Sequence, residues 1–447
     1  ARLNLFKRIL DGTIYDVLPY EFQDERTSAG EYIPLRQRRP SVRYPLARIV
    51  VDDSISLVFS NDHFPTVDTD DGELRAIFSD ITSETRLNTV MQEAALRGAV
   101  GSVAILLRVL KGRIFLKVLE TLYLTPAWDQ QAPDTLETVA EKYKVQGSVL
   151  ASMGYEITDK QATYWFMRVW DSQSEIWFVP WLTTSRAPPE IDETRTTRHG
   201  LGFVPIVWIR NLPGGPDGTD GIDGACTFKP AIETSIEIDY QLSQAGRGLK
   251  YSSDPTLLIR EPAGGGNDLV RGGGNALVVS ENGDARLLEI NGTAAAAVID
   301  YIRTLRELAL EGVHGNRASA DRLTTAQSGR ALEMMNQGLI FLADNLRVSY
   351  GSAILQLFRM IIEASHLYRL TTHHEVLLPL DRTARLRLKW PRYFAPDAQD
   401  RSLEAQTLAT LTQADLLSPE TALRSISDLY SVSDIAAERA RIAQEQA

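Results

Sequence analysis

Residues 324–370 read TTAQSGRALEMMNQGLIFLADNLRVSYGSAILQLFRMIIEASHLYRL, and this run decides the architecture. Leu332, Met335, Leu339, Leu342 and Leu346 recur at alternating steps of three and four, and Tyr350, Ala353, Leu357 and Ile361 carry the stripe onward. Such spacing lays one apolar seam along an α-helix. Thr324 or Thr325 supplies an N-cap hydroxyl for an otherwise orphaned amide, and no proline follows until Pro379. At ~1.5 Å per residue the run outspans a small domain, so it must pack on several neighbours. Gly351 and Ser352 mark the expected bend, since such pairs commonly kink helices.

Working outward, two shorter helices precede it. One runs from about Pro230 to Gln244, with Ile232, Ile236 and Leu242 at helical spacing and Glu233 and Glu237 four apart. The other starts after Thr293 and runs to about Glu311, with Val298, Ile302, Leu305 and Ala309 as its stripe and Glu307 four before Glu311. Like charges at that spacing cost a few tenths of a kcal/mol. Between them, residues 251–292 hold short strands near 255–259, 276–280 and 286–290, and glycine triplets at 264–266 and 272–274. The triplets lack the lysine and hydroxyl of a phosphate loop and the dinucleotide fingerprint, so they read as loop tips. Residues 314–323 form a polar loop into the long helix. Beyond it, 375–380 and 383–390 read as strands returning to the first half. Asp400 caps a helix through Leu411, Ser418-Pro419-Glu420 starts another, and a last charged helix follows Ser433.

The first half reads as mixed α+β. A short amphipathic helix covers Arg2 to Leu10. Arg36, Arg38, Arg39, Arg43 and Arg48 then cluster around Pro40 and Pro45, either as a solvated, partly extended arm or as a contact for nucleic acid or an acidic neighbour. Ile49 to Phe59 reads as a strand, and Thr82 to Ala99 as a helix with Leu87, Val90, Met91 and Ala94 on one face. Ser102–Leu110 and Arg113–Tyr123 read as a hairpin turning at Lys111-Gly112. Strands continue at 162–170, 175–181 and 203–209. Trp165, Trp170, Trp177 and Trp181 fit edge and core packing better than a stacking platform. In GGPDGTDGIDG (Gly214 to Gly224), Asp217, Asp220 and Asp223 invite calcium. The spacing fits no EF-hand, and glycine with aspartate is ordinary turn chemistry, so no metal is expected.

The bulk properties narrow the function. With 447 residues the chain can bury ample core. A net charge of −11 argues against a generic nucleic-acid binder. The single cysteine, Cys226, excludes an internal disulfide framework and a cysteine-rich zinc site. The best bilayer candidates, 99–110 and 354–362, are short and carry arginine, and the N-terminus shows no apolar signal core. No membrane partner is expected.

The order of helix, small β insertion, helix, polar loop and very long helix carries a resemblance. With HGLGFVPIVWIRNLPGG at 199–215, LLEINGTAAAAVIDYIRTL at 287–305, TTAQSGRALEMMNQGL at 324–339, and Asp434, Glu438, Arg441 and Glu445 near the C-terminus, the sequence resembles the portal proteins of tailed double-stranded DNA bacteriophages, including those of related gene-transfer particles. The resemblance implies an α+β portal fold: an α/β wing (1–224 and 324–397, with the long kinked wing helix), a two-helix stem (225–250 and 293–313), a small β-containing clip (251–292), a tunnel loop (314–323) and a C-terminal helical crown (398–447). It implies a virion protein at one capsid vertex, assembled in the host bacterial cytoplasm as a dodecameric ring that serves as head-tail connector and as conduit for genome packaging and ejection. Its implied partners are other copies of itself, the terminase large subunit, the head-tail adaptor, the major capsid protein and the passing double-stranded DNA. It implies no cofactor, no metal and no catalytic residues. By the same resemblance Asn316, Arg317, Ser319, Asp321 and Arg322 would face DNA.

Charge physics can be set beside this. Every phosphate paired with Lys or Arg releases counterions and adds salt-sensitive affinity, so a conduit wall should be acidic or neutral. Glu233, Glu237, Asp239, Asp300, Glu307 and Glu311 would supply it, or would simply be solvated helix faces; Arg303 or an adjoining subunit could relieve the repulsion. In the tunnel loop, Arg322 and Asp321 could equally pair with each other. Two other functions compete: a non-viral helical scaffold or adaptor, and a carboxylate-based hydrolase using Glu233 with Glu237. Six histidines, with His373-His374 lacking a matching ligand set, and Asp53 or Asp80 with nothing to single them out, leave the enzyme reading weak.

Overall fold

The first element is the expected amphipathic helix, α1 (Arg2–Leu10), which buries Phe6 and Leu10. The computed structural model describes residues 2–214, 221–253, 256–262, 279–288, 293–315, 333–334, 336–372, 375–394, 398–427, 432 and 435–445. They fall into two units, Ala1–Arg317 with Phe341–Pro391, and Ala318–Ile340 with Arg392–Ala447.

In the first unit, the strand expected over 49–59 is instead a helix, α2 (Leu46–Phe59). Its buried Leu46, Ala47, Val50, Val51, Ser54, Leu57 and Val58 follow a helical period. β-Branching costs only some tenths of a kcal/mol per helical residue. Burying each large apolar side chain contributes roughly 1.5–3 kcal/mol, so packing prevails. After β1 (Thr66–Asp68), the single helix expected over 82–99 is two. α3 (Gly72–Glu84) is capped by Asp71, whose side chain accepts from the amides of Glu73 and Leu74, and α4 is Leu87–Gly98. Arg86 between them takes a left-handed φ of 50°, which ends the first and re-aims the second. Leu87, Met91 and Ala94 of the expected face are buried, with Val90 half-buried.

The hairpin forms with a shorter second strand: β2 (Ser102–Leu110) pairs with β3 (Arg113–Leu119), which gives way to a 3-10 turn at Thr121–Tyr123 before the expected end. Lys111 and Gly112 take φ of 53° and 80°, the two positive values of a type I′ turn. β4 (Leu124–Trp128) and β5 (Leu136–Gln146) have no counterpart in the sequence reading, because charged residues stand on both faces of β5. After α5 (Gly147–Ser152) come β6 (Thr163–Trp170), β7 (Ser174–Trp177), β8 (Trp181–Leu182) and β9 (Thr197–Arg198). The resulting sheet has the order β4-β5-β6-β7-β9, with β8 also on β6. β10 (Ile206–Arg210) adds to β2 to give a second sheet, β10-β2-β3. Leu106, Leu119, Val139, Trp170 and Ile206 pack the two sheets into one apolar cluster. The tryptophans divide: Trp170 is fully buried and Trp177 packs on Phe166, while Trp165 and Trp181 pair on the opposite, outer side.

α6 (Ile232–Ser253) packs on α7 (Thr293–Gly312), and between them in sequence β11 (Thr256–Pro262) pairs antiparallel with β12 (Val279–Leu288). Both glycine triplets lie outside the described residues. The long helix is α8 (Gln337–Leu367), shorter than the expected 324–370: Asn336 just before it is a turn residue whose amide donates to the Glu333 carbonyl at 3.2 Å, and 324–332 lies outside the described residues. Leu342, Leu346, Tyr350, Ala353, Leu357 and Ile361 are all buried, as the stripe requires. Phe358 meets Phe78 edge-on at 5.0 Å between ring centroids, and Tyr350 meets Phe59 at 5.7 Å. The helix is unbroken through Gly351 and Ser352. A Cβ at Gly351 would lie 3.1 Å from Leu388 Cδ1 and 3.3 Å from Trp390, so glycine there admits the returning chain. Ser352 Oγ donates to the Val348 carbonyl at 2.8 Å, the back-bond that tends to bend helices.

That return is shorter than expected. Thr371–Thr372 (β13) pairs with Glu375–Val376 (β14), and Arg387–Lys389 (β15) pairs with β1. The second unit contains α9 (Ala398–Gln413), α10 (Pro419–Ile426) and α11 (Ile435–Glu445). Ser418 caps α10 by accepting from the Thr421 amide at 3.1 Å. Asp400 lies in the first turn of α9 rather than at its cap, where a carboxylate still suits the helix dipole. No described helix is long and apolar enough to cross a membrane.

Gly98 closes α4 directly under Tyr350. A Cβ there would collide with the Tyr350 hydroxyl and lie 2.9 Å from Val103 Cγ1. Gly98→Ala should cost ~1–3 kcal/mol of unfolding free energy by overpacking. Tyr350→Phe should cost a similar ~1–3 kcal/mol, by stranding a buried acceptor. Because the second change removes the colliding atom, the double variant should recover on the order of 1 kcal/mol relative to the sum. Chemical denaturation of the four proteins reads this coupling; strict additivity would separate the two sites.

Candidate functional site

The α6–α7 pair presents the carboxylates singled out above, and the chain leading into α6 explains how the pair is held. Asn211, just past β10, is buried. Its Nδ2 donates to the Ala225 carbonyl at 2.9 Å and to Thr227 Oγ1 at 2.8 Å, and its Oδ1 accepts from the Tyr350 hydroxyl at 3.2 Å. The Gly101 carbonyl accepts from the amides of both Asn211 and Gly224, each at 2.9 Å. A Cβ at Gly224 would come within 2.6 Å of the Leu212 carbonyl oxygen, so only glycine passes. Cys226 and Phe228 then enter a cluster with Phe6, Leu10, Val51 and Val100. Burial pushes the Cys226 thiol up to about 12. Residues 225–231 are therefore stitched to the first unit, and α6 begins only at Ile232, after a 3-10 turn at Lys229–Ala231 containing Pro230.

Asp239 departs from the expectation. It is 5% exposed and turned toward the N-terminal arm, so it supplies no charge to an exposed wall. Its Oδ2 accepts from the Tyr15 hydroxyl at 2.7 Å and its Oδ1 from the Tyr44 amide at 2.6 Å. Burial raises its pKa above the ordinary carboxylate value, while those two hydrogen bonds and Arg43 oppose the rise. Ser243, one turn on, accepts from the Val42 amide at 3.0 Å. Tyr240 donates to the Arg38 carbonyl at 3.0 Å, and Arg247 pairs with Glu25. One face of α6 is thus clamped by the arm.

The arm corrects another expectation, since it is no free basic tail. Arg38 is buried, donates to the Phe22 carbonyl at 3.1 Å and lies over the Phe22 and Tyr32 rings. Arg39 donates to the Leu18 carbonyl at 2.6 Å, Arg43 to the Gly12 carbonyl at 2.9 Å, and Arg48 pairs with Asp52 at 2.8 Å. Arg36 remains exposed. Arginine forks here satisfy loop carbonyls.

Glu233, Glu237, Asp300, Glu307 and Glu311 are all exposed. Gln241 Nε2 donates to Glu237 at 2.7 Å, and Arg303 pairs with Asp300 at 3.3 Å. At ~100° per helical residue, Asp300, Glu307 and Glu311 fall within about 40° of one another. Ala309 and Val313 are buried on the opposite side. The flanks between carry exposed apolar side chains, Ile299 on one and Tyr301 and Leu308 on the other, at 42%, 48% and 58% exposure. Arg303 and Arg306 fall toward the Ile299 flank, where Arg306 opposes the rise that burial and Asp52 impose on Asp53 of α2.

α7 ends in a Schellman motif. His314 takes a left-handed φ of 54°, Gly315 N donates to the Leu310 carbonyl at 2.8 Å, and His314 N to that of Glu311 at 3.3 Å. Asn316, Arg317, Ser319, Asp321 and Arg322 lie outside the described residues, as do Asp217, Asp220 and His373-His374. Asp223 is committed to Ser102 and, at 3.1 Å, to Arg2. Among the described residues no three His, Cys, Asp or Glu side chains come together as metal ligands. Glu233 and Glu237 stand in the open on one helix face, without the enclosed geometry a hydrolytic pair needs. As anchors, Asn211, Tyr350, Tyr15 and Tyr44 escaped the sequence reading: Tyr350 figured there only in the apolar stripe of the long helix, Asn211 only within a quoted stretch, and Tyr15 and Tyr44 not at all.

The whole chain, residues 1–447, matches the family model described as phage portal protein, SPP1 Gp6-like. Comparison with curated proteins returns no match.

Asp239 yields a pH test. Its native value is raised above the ordinary 3.8, so the folded state holds the proton more firmly than the unfolded chain. Its stabilising contribution is complete below 3.8 and is lost as pH rises through the raised native value. Asp239→Asn stays neutral and can still accept from the Tyr44 amide. Thermal unfolding should therefore show the variant gaining on the parent as pH rises across that window. A difference independent of pH would mean the carboxylate is not desolvated.

Proposed function

From the premise that the chain belongs to the phage portal proteins of the SPP1 Gp6-like family, we infer that it assembles with copies of itself into a closed ring whose α6–α7 pairs line a DNA conduit. The observation that carries this is the division of α7 into faces. One face packs inward, the opposite one is acidic, and the two between are flanks with exposed apolar groups. A ring needs a heterologous interface in which one flank of each copy meets the other flank of the next. Covering each half-exposed Ile, Tyr or Leu would contribute on the order of 1 kcal/mol, repeated at every junction. The acidic face would then look into the central hole.

Such a wall suits passage rather than capture, because carboxylates predominate and the arginine beside them, Arg303, is paired with Asp300, leaving duplex phosphates little cation to displace counterions. Asp300, Glu307 and Glu311 on α7, with Glu233 and Glu237 on α6, are the wall residues; Asp239 belongs to the anchor. The finer assignments rest on family resemblance. They are 1–224 and 324–397 as wing, 225–250 and 293–313 as stem, 251–292 as the clip that meets terminase and then the head-tail adaptor, 314–323 as DNA-facing loop, and 398–447 as crown, at a capsid vertex. A bend of α8 at Gly351-Ser352 belongs with them. Translocation energy would come from a separate motor.

Electron micrographs of the purified protein viewed down its axis should show closed rings with a central hole; a uniform dimer or monomer would contradict the reading. Replacing Glu233, Glu237, Glu307 and Glu311 together with Gln should leave the ring intact but lower packaging efficiency and change its salt dependence. Unchanged efficiency and salt response would remove the acidic-wall idea. Pure protein should turn over no ATP.

A further inference from the structure

The outer face of the six-stranded sheet is built unlike the rest of this acidic chain. Strand register puts Lys142 opposite Met167 and Lys144 opposite Trp165, and Trp165 opposite Trp181, so all five share one face. Glu141 and Arg168 point to the other side, where they are buried. Hence no carboxylate stands on the outer face of β5 or β6. Lys142 Nζ lies 4.8 Å from the Trp165 ring centroid and 5.4 Å from that of Trp181, and Lys144 Nζ lies 5.1 Å from Trp165. Both lysines are exposed, and the two indoles and Met167 are half-exposed rather than part of the core. The rings hold the ammonium groups in place before any partner arrives.

We propose that this face docks an acidic polypeptide segment, with two of its carboxylates on Lys142 and Lys144 and a neighbouring apolar side chain on the Trp165–Trp181–Met167 surface. Charge complementarity selects the partner. The backbones of two lysines two residues apart on a strand stand ~7 Å from each other, a spacing that carboxylates two apart on an extended segment or one turn apart on a helix can meet. A nucleic acid fits less well. Two cations release few counterions, giving a salt slope of only about −2; a chain of net charge −11 repels a polyanion at long range; and a phosphate backbone brings nothing apolar for Met167. The two exposed lysines would confer specificity and encounter rate, and the indoles the buried contact.

The test pans a library of random short displayed peptides on the full chain. Binding is then measured to the parent, to Lys142→Glu/Lys144→Glu and to the milder Lys142→Gln/Lys144→Gln, alongside a single-stranded DNA oligonucleotide. Thermal melts and circular dichroism matching the parent establish that both variants are folded. The expected result is enrichment of peptides with paired Asp or Glu beside an aromatic or aliphatic residue, bound about tenfold or more weaker by both variants, with Trp fluorescence responding only in the parent. No enrichment, enrichment of peptides without carboxylates, or equal binding to the variants would overturn the proposal. Oligonucleotide binding that is lost on charge reversal would overturn it in favour of nucleic acid.

Discussion

One side-chain amide holds together the parts that have to stay together. Asn211 receives the Tyr350 hydroxyl from α8 and donates to Ala225 and Thr227 on the lead-in to α6, while its own amide bonds Gly101 beyond α4. Asn211, Tyr350 and Thr227 are buried. Burial also drives the Tyr350 phenol far above its ordinary value, so it stays a neutral donor. In such a place an unmade hydrogen bond costs ~1–3 kcal/mol, and loss of one partner strands another. The constraint is steric as well: Gly98 and Gly224 are glycine because Tyr350 and the Leu212 carbonyl occupy the space a Cβ would need.

From that knot the role of α6 and α7 follows. The helix pair leaves a base fixed by hydrogen bonds and by the Phe6–Phe228 cluster, and the arm clamps a second face of α6 through Asp239, Tyr240 and Ser243. One carboxylate of the helix is thereby spent inward on structure, leaving Glu233 and Glu237 outward. Neighbouring acids on one helix, alike in sequence, thus end in opposite surroundings, Asp239 buried and Glu233 and Glu237 exposed. What separates them is only which side the arm covers.

The two sheets face each other across a similar compromise. Arg168, nearly buried, pairs with Glu141 and with Glu175, the latter at 3.4 Å, and stacks 4.5 Å from the Trp170 centroid and 5.1 Å from that of Trp177. Arg108 of β2 joins Glu175 from the second sheet. Buried ions are tolerated only when paired this fully, and the pairing fixes how the sheets meet. The same alternation leaves Lys142 and Lys144 outside without acidic company.

Periodic burial was legible in the residues alone. The α8 stripe from Leu342 to Ile361, the α7 stripe, the Lys111-Gly112 turn and the Ser418 cap each depend on spacing or on one residue's local chemistry, and linear order carries both. Family membership was readable for the same reason, as an order of elements. Tertiary contacts decided the rest. The β-branched run at 49–59 became α2 because its helical face could be buried. β5 became a central strand although its alternation is polar, because Glu141 pairs with Arg168 and the two lysines, Lys142 and Lys144, lie over Trp165 and Trp181 of other strands. Arg38, Asp239 and Asn211 acquired their places from residues on distant elements; Tyr350 lies 139 positions from Asn211. A local pattern specifies which face a side chain occupies, but only the folded neighbour across from that face determines whether a charge is solvated, paired or buried.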